Sequence, residues 1–460
     1  YQADGFKNLP IRQDTGFVKN DLMTKFRLNN DRNAKLYQEL ELKLKYSDEM
    51  SDETYLGLTD EDFAADPYRR YAASQEDQMN NEHKQVQLNH YIQLAGGIEL
   101  NSNIYRNDFW RNWYKTGLDA QIASDFEKGL LGDTLDFTVK ANNRDYLSSG
   151  IQSQLRVDLT DHTITSGIRY HKDEMDRFQW KDGYSMDTDY VTTQTSFGIP
   201  GTDSNRIDSG EALAVFIHDE IFLGDLVINT GLRYENMTIE RKDWGKNDPG
   251  RDAPPSKQVK NKVDILVPGL GATYKLNEEW ILLAGVQRGF APPAAGNAEA
   301  EEELSWNYEA GFRFRNDQFN AEAVAFYGDY ENMHGNCTAA QGCEEDKIGD
   351  QFNAGEVKIG GLELLTGYSI ITERLSIPLS LTYTYTTTEF QRSFEADFDA
   401  WGDVRVGDEL PYVPAHQLRL GIGFERNNWD ANLSIRYQSE MRSKAGQGAI
   451  PPEELIDSFT

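Results

Sequence analysis

The amino-acid sequence predicts an all-β protein, and more narrowly a transmembrane antiparallel β-barrel with about sixteen strands in these 460 residues. Three observations support this fold class. Apolar and polar residues alternate with a period of two, the alternating segments are longer than ordinary strands, and short turns alternate with long hydrophilic connections.

Alternation is clearest in Lys35–Tyr46, where the even-numbered residues are mainly Leu and the odd-numbered residues are mainly Lys and Glu. Successive side chains of a strand point to opposite faces, so this segment has one apolar face and one charged face. The same division recurs in residues 226–235, 307–315, 417–425 and 429–438. In a membrane barrel the apolar face contacts lipid and the polar face lines the interior.

The connections between alternating segments are of two kinds, which indicates a barrel with one short-turn end and one long-loop end. The short turns are Asn29–Asn33, Gly96–Gly97, Thr160–Thr163, Leu223–Leu226, Leu276–Glu279, Asn316–Gln318, Thr372–Arg374 and Arg426–Asn428. The long stretches are approximately Asp48–Lys84, Asp108–Ser149, Lys181–Asp208, Arg241–Lys262, Ala291–Glu303, His334–Gln351 and Arg392–Pro411.

Strand length favours a membrane barrel over a soluble β protein. Hairpins such as Glu211–Glu240 and Leu304–Met333 have arms of about 10–15 residues, whereas strands of globular proteins average about 5–6 and tilted membrane strands need about 9–11. No stretch approaches the ~18 consecutive apolar residues of a membrane helix.

The net charge of −30 argues against a nucleic-acid partner, and the 12% aromatic content argues against disorder.

Motifs of catalysis and metal binding are absent from the sequence. It has no Gly-x-Ser-x-Gly elbow and no phosphate-binding loop, and its seven His residues are scattered without metal-ligand spacing. We therefore expect no catalytic residues, no metal site and no cofactor, and predict that the protein is not an enzyme. The residues alone leave open a passive porin-like channel and, less favoured, a soluble β-rich carbohydrate-binding protein.

Four motifs carry a family resemblance, and together they span most of the chain. They are Thr54–Asp60 with Phe63–Ser74, Tyr105–Lys115, Arg288–Pro293 and Asn307–Arg313. In these motifs the sequence resembles TonB-dependent outer-membrane receptors of the ferric-dicitrate or siderophore type.

This resemblance implies that residues 1–460 form strands four to nineteen of a barrel of about twenty-two strands, with the plug domain and the final strands missing from the sequence. It further implies TonB-dependent uptake of a ferric chelate, iron-citrate or another siderophore, across the bacterial outer membrane. The implied partners are a TonB-type energy-coupling protein, which would bind a segment outside this sequence, the ferric siderophore, and the lipid and lipopolysaccharide of the membrane.

Two of the long stretches contain clustered Arg and Trp residues, which are the candidates for ligand binding. They are Arg69, Arg70, Arg106, Trp110, Arg111 and Trp113. Arg offers planar paired donors that suit the carboxylates of an anionic ferric chelate. Interfacial Arg and Trp also anchor barrels and bind lipopolysaccharide phosphates, which is the alternative role. In a third stretch, Cys337 and Cys343 are expected to form a disulfide at a loop tip.

Overall fold

The computed structural model describes residues 2–3, 15–94, 97–296, 301–336, 351–353, 355–396, 398 and 400–459. The fold is all-β, as predicted, and most strands belong to one large antiparallel sheet. Within this described part of the chain, sixteen strands have ten or more residues, in agreement with the expected number. Cys337 and Cys343 lie outside the described residues.

The sixteen long strands are labelled in chain order. They are β1 Phe17–Asn29, β2 Tyr37–Ser51, β3 Gln78–Leu94, β4 Ile98–Thr116, β5 Thr134–Asp158, β6 His162–Asp187, β7 Ser204–Leu223, β8 Leu226–Asp243, β9 Lys257–Lys275, β10 Trp280–Ala291, β11 Glu303–Arg315, β12 Phe319–Glu331, β13 Val357–Ile371, β14 Ser376–Phe390, β15 His416–Arg426 and β16 Trp429–Gln438.

The remaining regular elements are short and lie mostly in the long connections. Two α-helices are described, α1 Asp60–Ala65 and α2 Ala120–Glu127, together with the 3-10 turn Ala72–Ser74. Neither helix has the length and apolar character needed to cross a membrane. The short strands are Gln2–Ala3, Thr192–Ser196, His334–Asn336, Gln351–Asn353, Phe394–Glu395, Asp403–Val404, Met441–Arg442 and Leu455–Ile456.

Seven of the eight predicted short turns fall between consecutive long strands, and Gly96 of the eighth lies outside the described residues. The long connections that the structure describes overlap the predicted stretches, although Asp108–Ser149 also includes parts of β4 and β5. The predicted strand length, however, was too short. Strand β5 has 25 residues and β6 has 26, because both strands continue into segments that were interpreted as long connections. The extension of β5 contains buried apolar residues at alternate positions, Leu135, Phe137 and Val139, and this short alternation was missed.

The chain divides into two compact units. The first consists of Tyr1–Leu155, Gly167–Leu213 and Met237–Lys262, and the second consists of Arg156–Ser166, Ala214–Asn236 and Val263–Thr460.

In the first unit, the hairpin of β1 and β2 shows how the two faces differ. Phe26 pairs with Leu42 and Leu28 pairs with Leu40 on one face, where Leu28 remains 73% exposed. The opposite face carries four cross-strand ion pairs, Lys19–Glu49 at 2.8 Å, Lys25–Glu41 at 3.4 Å, Arg27–Glu39 at 3.6 Å and Asp21–Lys45 at 3.6 Å. The apolar side chains therefore lie on an exposed face, and the charged side chains form ion pairs on the opposite face. This is the arrangement expected when the apolar face contacts lipid.

In the second unit, aromatic side chains mark both ends of the apolar face. Near the short turns, the rings of Trp280, Phe314, Phe319 and Tyr368 contact one another in sequence across four strands, with centroids 4.8 to 6.5 Å apart. Nearer the long connections, the neighbouring rings of Tyr308 and Tyr327 lie on the same face. Aromatic girdles at both interfaces are typical of outer-membrane barrels.

Each unit also has a small apolar core, in which residues of the long connections pack against residues at the ends of the long strands. The core of the first unit consists of Tyr71, Ala72, Ala73, Ala123, Phe126, Leu135, Phe137, Val139 and Met186. The core of the second unit consists of Val357, Phe390, Phe398, Ala400, Trp401 and Val404. Buried apolar cores hold these connections in defined conformations, on which a binding surface can be built.

Candidate anion-binding site

Five arginines in the first unit form a cluster on strands that follow one another along the chain. They are Arg111 on β4, Arg144 on β5, Arg177 on β6, Arg206 on β7 and Arg241 on β8. In β6 the exposed apolar residues Ile168 and Tyr170 have even numbers, whereas Arg177 is odd. The other four arginines likewise alternate with the apolar residues of their strands, so the cluster occupies the polar face.

Contacts within the cluster define its two ends. At one end, Arg111 Nε and Arg144 Nη1 each donate to the Tyr146 hydroxyl at 3.4 Å. At the other end, Arg241 donates two hydrogen bonds to the Asp208 carboxylate, at 2.6 and 3.0 Å. Both ends lie beyond the exposed apolar residues of these strands, on the side of the long connections.

Arg177 lies between the two ends and makes no hydrogen bond or salt bridge to any described residue, and its Nε is buried. Burial, followed by the neighbouring charges of Arg144, Arg206 and Arg241, lowers the pKa of Arg177 to about 9, although Asp208 acts in the opposite direction. A buried guanidinium without a partner is costly. An anion bound at this position would satisfy its donors and relieve the repulsion among the arginines.

The charge of the cluster favours an anionic ligand of some size. At Arg177 the charges of three neighbouring guanidinium groups act against that of Asp208, so the local potential is positive although the whole chain carries −30. Guanidinium groups distributed over five strands suit a ligand with several carboxylates better than a single small ion, because each planar group can bind one carboxylate through two donors.

Two of the six candidates from the sequence lie on this polar face. Arg111 belongs to the cluster, and Trp113 follows it by two residues on β4, with its ring 4.6 Å from that of Tyr55. Arg106 and Trp110 alternate with them and lie on the other face. There Arg106 makes a two-fold contact with Asp108, at 2.8 and 2.7 Å, and Trp110 Nε1 donates to Asn143 at 2.7 Å.

The remaining candidates, Arg69 and Arg70, are held by protein groups in the connection between β2 and β3. Arg69 donates to Asp62 at 3.1 Å and to Glu127 on α2. Arg70 is 7% exposed and donates to the hydroxyl and the carbonyl oxygen of Ser74, both at 2.9 Å. The structure gives both arginines structural partners and does not bring them into the five-arginine cluster.

Four members of the cluster were missed from the sequence: Arg144, Arg177, Arg206 and Arg241. Arg144 and Arg206 lie in segments interpreted as long loops, and Arg241 lies at the expected start of one. Continuing the period-two count of each strand into these polar segments would have placed every one of them on the interior face.

The described residues contain no group of three or more His, Cys, Asp or Glu side chains arranged to hold a metal ion. Two shallow grooves of about 460 and 400 Å³ occur in the second unit, but both are lined mainly by apolar residues such as Leu270 and Leu433. These grooves are on the face assigned to lipid, where no polar ligand is expected.

Comparison with known proteins gives the same fold. The chain is similar to the ferric citrate transporter FecA in its unliganded form (19% identity, TM-score 0.68, covering 96% of this chain and 61% of that one). It is also similar to the siderophore receptor PiuA from Acinetobacter baumannii (13% identity, TM-score 0.68, covering 96% and 67%) and to the ferric yersiniabactin uptake receptor FyuA from Yersinia pestis (15% identity, TM-score 0.65, covering 96% and 63%).

At these identities the likeness shows the fold alone, and the chain spans about three fifths of the length of the ferric citrate transporter. Residues 11–460 match the family described as "TonB dependent receptor-like, beta-barrel". Because this match covers nearly the whole sequence, the location is the outer membrane, and the soluble alternative is wrong. The chain belongs to the family of TonB-dependent receptor-like β-barrels.

Proposed function

We propose that this chain is the barrel of a receptor that takes up an anionic ferric chelate across the outer membrane, driven by a TonB-type energy-coupling protein. The observation that carries the proposal is Arg177, a guanidinium enclosed by other arginines and left without a protein partner. Three of the similar structures are receptors or transporters of iron chelates by their printed names, which supports the same class of cargo.

The charge of the chelate follows from the cluster. Ferric citrate complexes are anionic and present free carboxylates, so they match guanidinium forks. A cationic trihydroxamate chelate of ferric iron would be repelled by the same five arginines. We therefore expect binding to weaken as salt increases, since screening acts on the attraction between the cluster and the chelate.

The test uses the full-length receptor in whole cells and radioactive ferric citrate. Without energy, cells with the wild-type protein should bind the chelate, and cells with Arg177→Gln should bind it at least tenfold more weakly, because one charge-assisted pair contributes about 1.5–3 kcal/mol. Arg436→Gln is the matched control, since Arg436 is an exposed arginine on β16, far along the chain from the cluster. It should bind like wild type.

Energy dependence separates the receptor from a passive channel. A protonophore should stop accumulation of ferric citrate while leaving surface binding intact. Accumulation that continues with a protonophore and follows the external concentration linearly would support the porin-like alternative. Equal binding by the wild type and Arg177→Gln would remove the arginine cluster as the binding site.

A further inference from the structure

Arg251 lies in the connection between β8 and β9, residues 244–256, and its guanidinium reaches back to β6 within the same unit. Nη1 and Nη2 donate to the two oxygens of the Asp176 carboxylate, at 2.8 and 2.6 Å. The central carbon of the guanidinium also lies over two rings, 4.9 Å from the centroid of Phe178 and 4.8 Å from that of Trp244. Because the planar group makes a paired contact and two ring contacts, its position on β6 is closely defined.

The same guanidinium also contacts β7. Its Nε donates to the side-chain oxygen of Asn205 at 2.7 Å, and the side-chain nitrogen of Asn205 donates to the Asp248 carbonyl oxygen at 2.7 Å. Asn205 is only 2% exposed, and its main-chain carbonyl oxygen accepts from the Trp244 amide at 3.0 Å. The side chain of Arg251 therefore joins β6, β7 and the connection that follows β8.

The backbone of Arg251 shows that these contacts impose its conformation. Its φ is 57°, in the left-handed region that a residue with a Cβ atom adopts at a cost in energy. Such a conformation persists only where the surrounding contacts impose it. The bonds to Asp176 and Asn205 are therefore strong enough to hold this connection in a conformation that it would not otherwise favour.

The contacts of Arg251 lie directly behind the arginine cluster. Asp176 immediately precedes Arg177 on β6. Asn205 immediately precedes Arg206 on β7, which pairs with β6 in the sheet. Because neighbouring side chains of a strand point to opposite faces, Arg251 contacts the back of the two strands, whereas Arg177 and Arg206 lie on the polar face.

We propose that Arg251 is a positioning residue of the anion-binding site, which fixes β6 and β7 from the opposite face and so sets the relative positions of Arg177 and Arg206. This inference rests on the proposed function, because that function supplies the ligand of the two arginines. Like charges repel, so Arg177 and Arg206 oppose the arrangement that an anion needs. A contact that maintains this arrangement before the anion arrives reduces the cost of binding.

Position and charge make different predictions at this contact. Arg251→Gln removes a positive charge near the cluster, and Asp176→Asn removes a negative one. If only the electrostatic potential mattered, the first substitution would weaken anion binding and the second would strengthen it. Because both substitutions break the same paired contact, positioning predicts that both weaken it.

The first measurement is the binding of radioactive ferric citrate to de-energised whole cells, with equal amounts of full-length receptor in the outer membrane. Arg251→Gln and Asp176→Asn should each raise the Kd about fivefold. Arg251→Lys should resemble Arg251→Gln, because lysine keeps the charge but lacks the paired donors. Lys246→Gln is the matched control, since it removes an exposed cation from the same connection, and it should bind like the wild type.

The second measurement needs no ligand. In the purified full-length receptor, hydrogen exchange at residues 176–178 and 205–207 should be about fivefold faster in Arg251→Gln than in the wild type. Lys246→Gln should exchange like the wild type at both segments. If Arg251→Gln does not reach the outer membrane, Arg251→Lys and Asp176→Asn provide the same comparisons.

The outcomes separate this inference from the proposed function. Stronger binding by Asp176→Asn, or unchanged binding by Arg251→Lys, would assign the effect to charge and overturn the inference. Unchanged exchange at both segments would also overturn it. If the wild type does not bind ferric citrate, the proposed function fails, and hydrogen exchange alone then decides whether Arg251 fixes the two strands.

Discussion

The carboxylate of Asp62 accepts a hydrogen bond from the Ser124 hydroxyl at 2.5 Å, which joins the connection after β2 to the connection after β4. The same Asp62 oxygen accepts from the Tyr71 hydroxyl at 2.6 Å, and the other oxygen accepts from Arg69 at 3.1 Å. Asp62 is only 3% exposed. Its charge therefore holds together two polypeptide segments that are distant in sequence.

Asp62→Asn should loosen these two connections without unfolding the barrel. Hydrogen bonds to a charged group contribute about 1.5–3 kcal/mol, so the free energy of local opening should fall by about that amount. Hydrogen exchange of residues 59–73 and 119–128 measures it. The neighbouring Glu61→Gln is the control, because Glu61 is exposed and pairs with Lys128 at the surface. Equal protection in wild type and Asp62→Asn would contradict the expected role.

The hydrogen bonds to the Asp62 carboxylate should weaken in acid. Hydrogen bonds from Ser124 and Tyr71 hold the pKa of Asp62 well below its ordinary value of 3.8, even though burial acts in the opposite direction. The Asp62 carboxylate therefore binds a proton less readily in the folded state than in the unfolded state. The stabilisation is present above pH about 3.8 and is lost progressively as the pH falls below it. Protection that stays constant from pH 5 to pH 3 would argue against a charged Asp62.

Asp77 should produce the opposite pH dependence in a nearby segment. Burial raises its pKa to about 6, although the Thr54 hydroxyl and the Thr116 amide donate to it at 2.6 and 2.5 Å. The folded state thus binds the proton more tightly. The contribution of Asp77 to the free energy of unfolding is complete below pH about 3.8 and is lost as the pH rises through about 6. The loss is about 3 kcal/mol.

The Thr116 amide reports this change directly. Its free energy of opening, from hydrogen exchange corrected for the intrinsic pH effect, should decrease between pH 4 and pH 7 in the wild type. In Asp77→Asn the group no longer titrates, so the same measurement should be flat. A slope of equal size in both proteins would assign the pH effect to another group.

Asp208→Asn should strengthen anion binding at the arginine cluster. Asp208 is the carboxylate that closely pairs with Arg241, and it opposes the effect of the arginines on Arg177. Removing one negative charge near the ligand should increase the affinity for ferric citrate by about fivefold at low salt, and less at high salt. Asp219→Asn, with its carboxylate near the short-turn end of β7, should leave the affinity unchanged. Weaker binding by Asp208→Asn would mean that Asp208 mainly positions Arg241.

The sequence predicted the strands well where one face is apolar. Contact with lipid requires apolar residues at every second position, and this alternation is visible in the sequence. It selected Arg111 from the clustered Arg and Trp of a stretch interpreted as a loop, whereas the structure places that residue on β4. It did not predict Arg177 or Arg206, because frequent polar residues interrupt the apolar alternation around them and the count was not continued through these segments. Arg69 and Arg70 show the converse limit. The composition of the segment around them resembles a binding loop. Only the tertiary contacts show that these arginines donate to Asp62, Glu127 and Ser74.

Adjacent leucines in the middle of β13 test the assignment of faces on which the interpretation depends. Leu364 pairs with Ala323 and Tyr383 on the apolar face, whereas Leu365 pairs with Glu322 and Thr382 on the polar face. Leu364→Arg places a charge toward acyl chains and should lower the free energy of unfolding by about 2–4 kcal/mol. Leu365→Arg places the same side chain beside Glu322 and should change it far less.

The measurement is reversible denaturant unfolding of both variants in lipid vesicles, with tryptophan fluorescence as the signal. Since the two substitutions are identical and one residue apart, differences in strand propensity cancel, and only the direction of the side chain distinguishes them. A larger loss for Leu365→Arg than for Leu364→Arg would reverse the two faces. In that case the face of β13 that carries Leu365 would contact lipid, and the assignment of its two faces would be wrong.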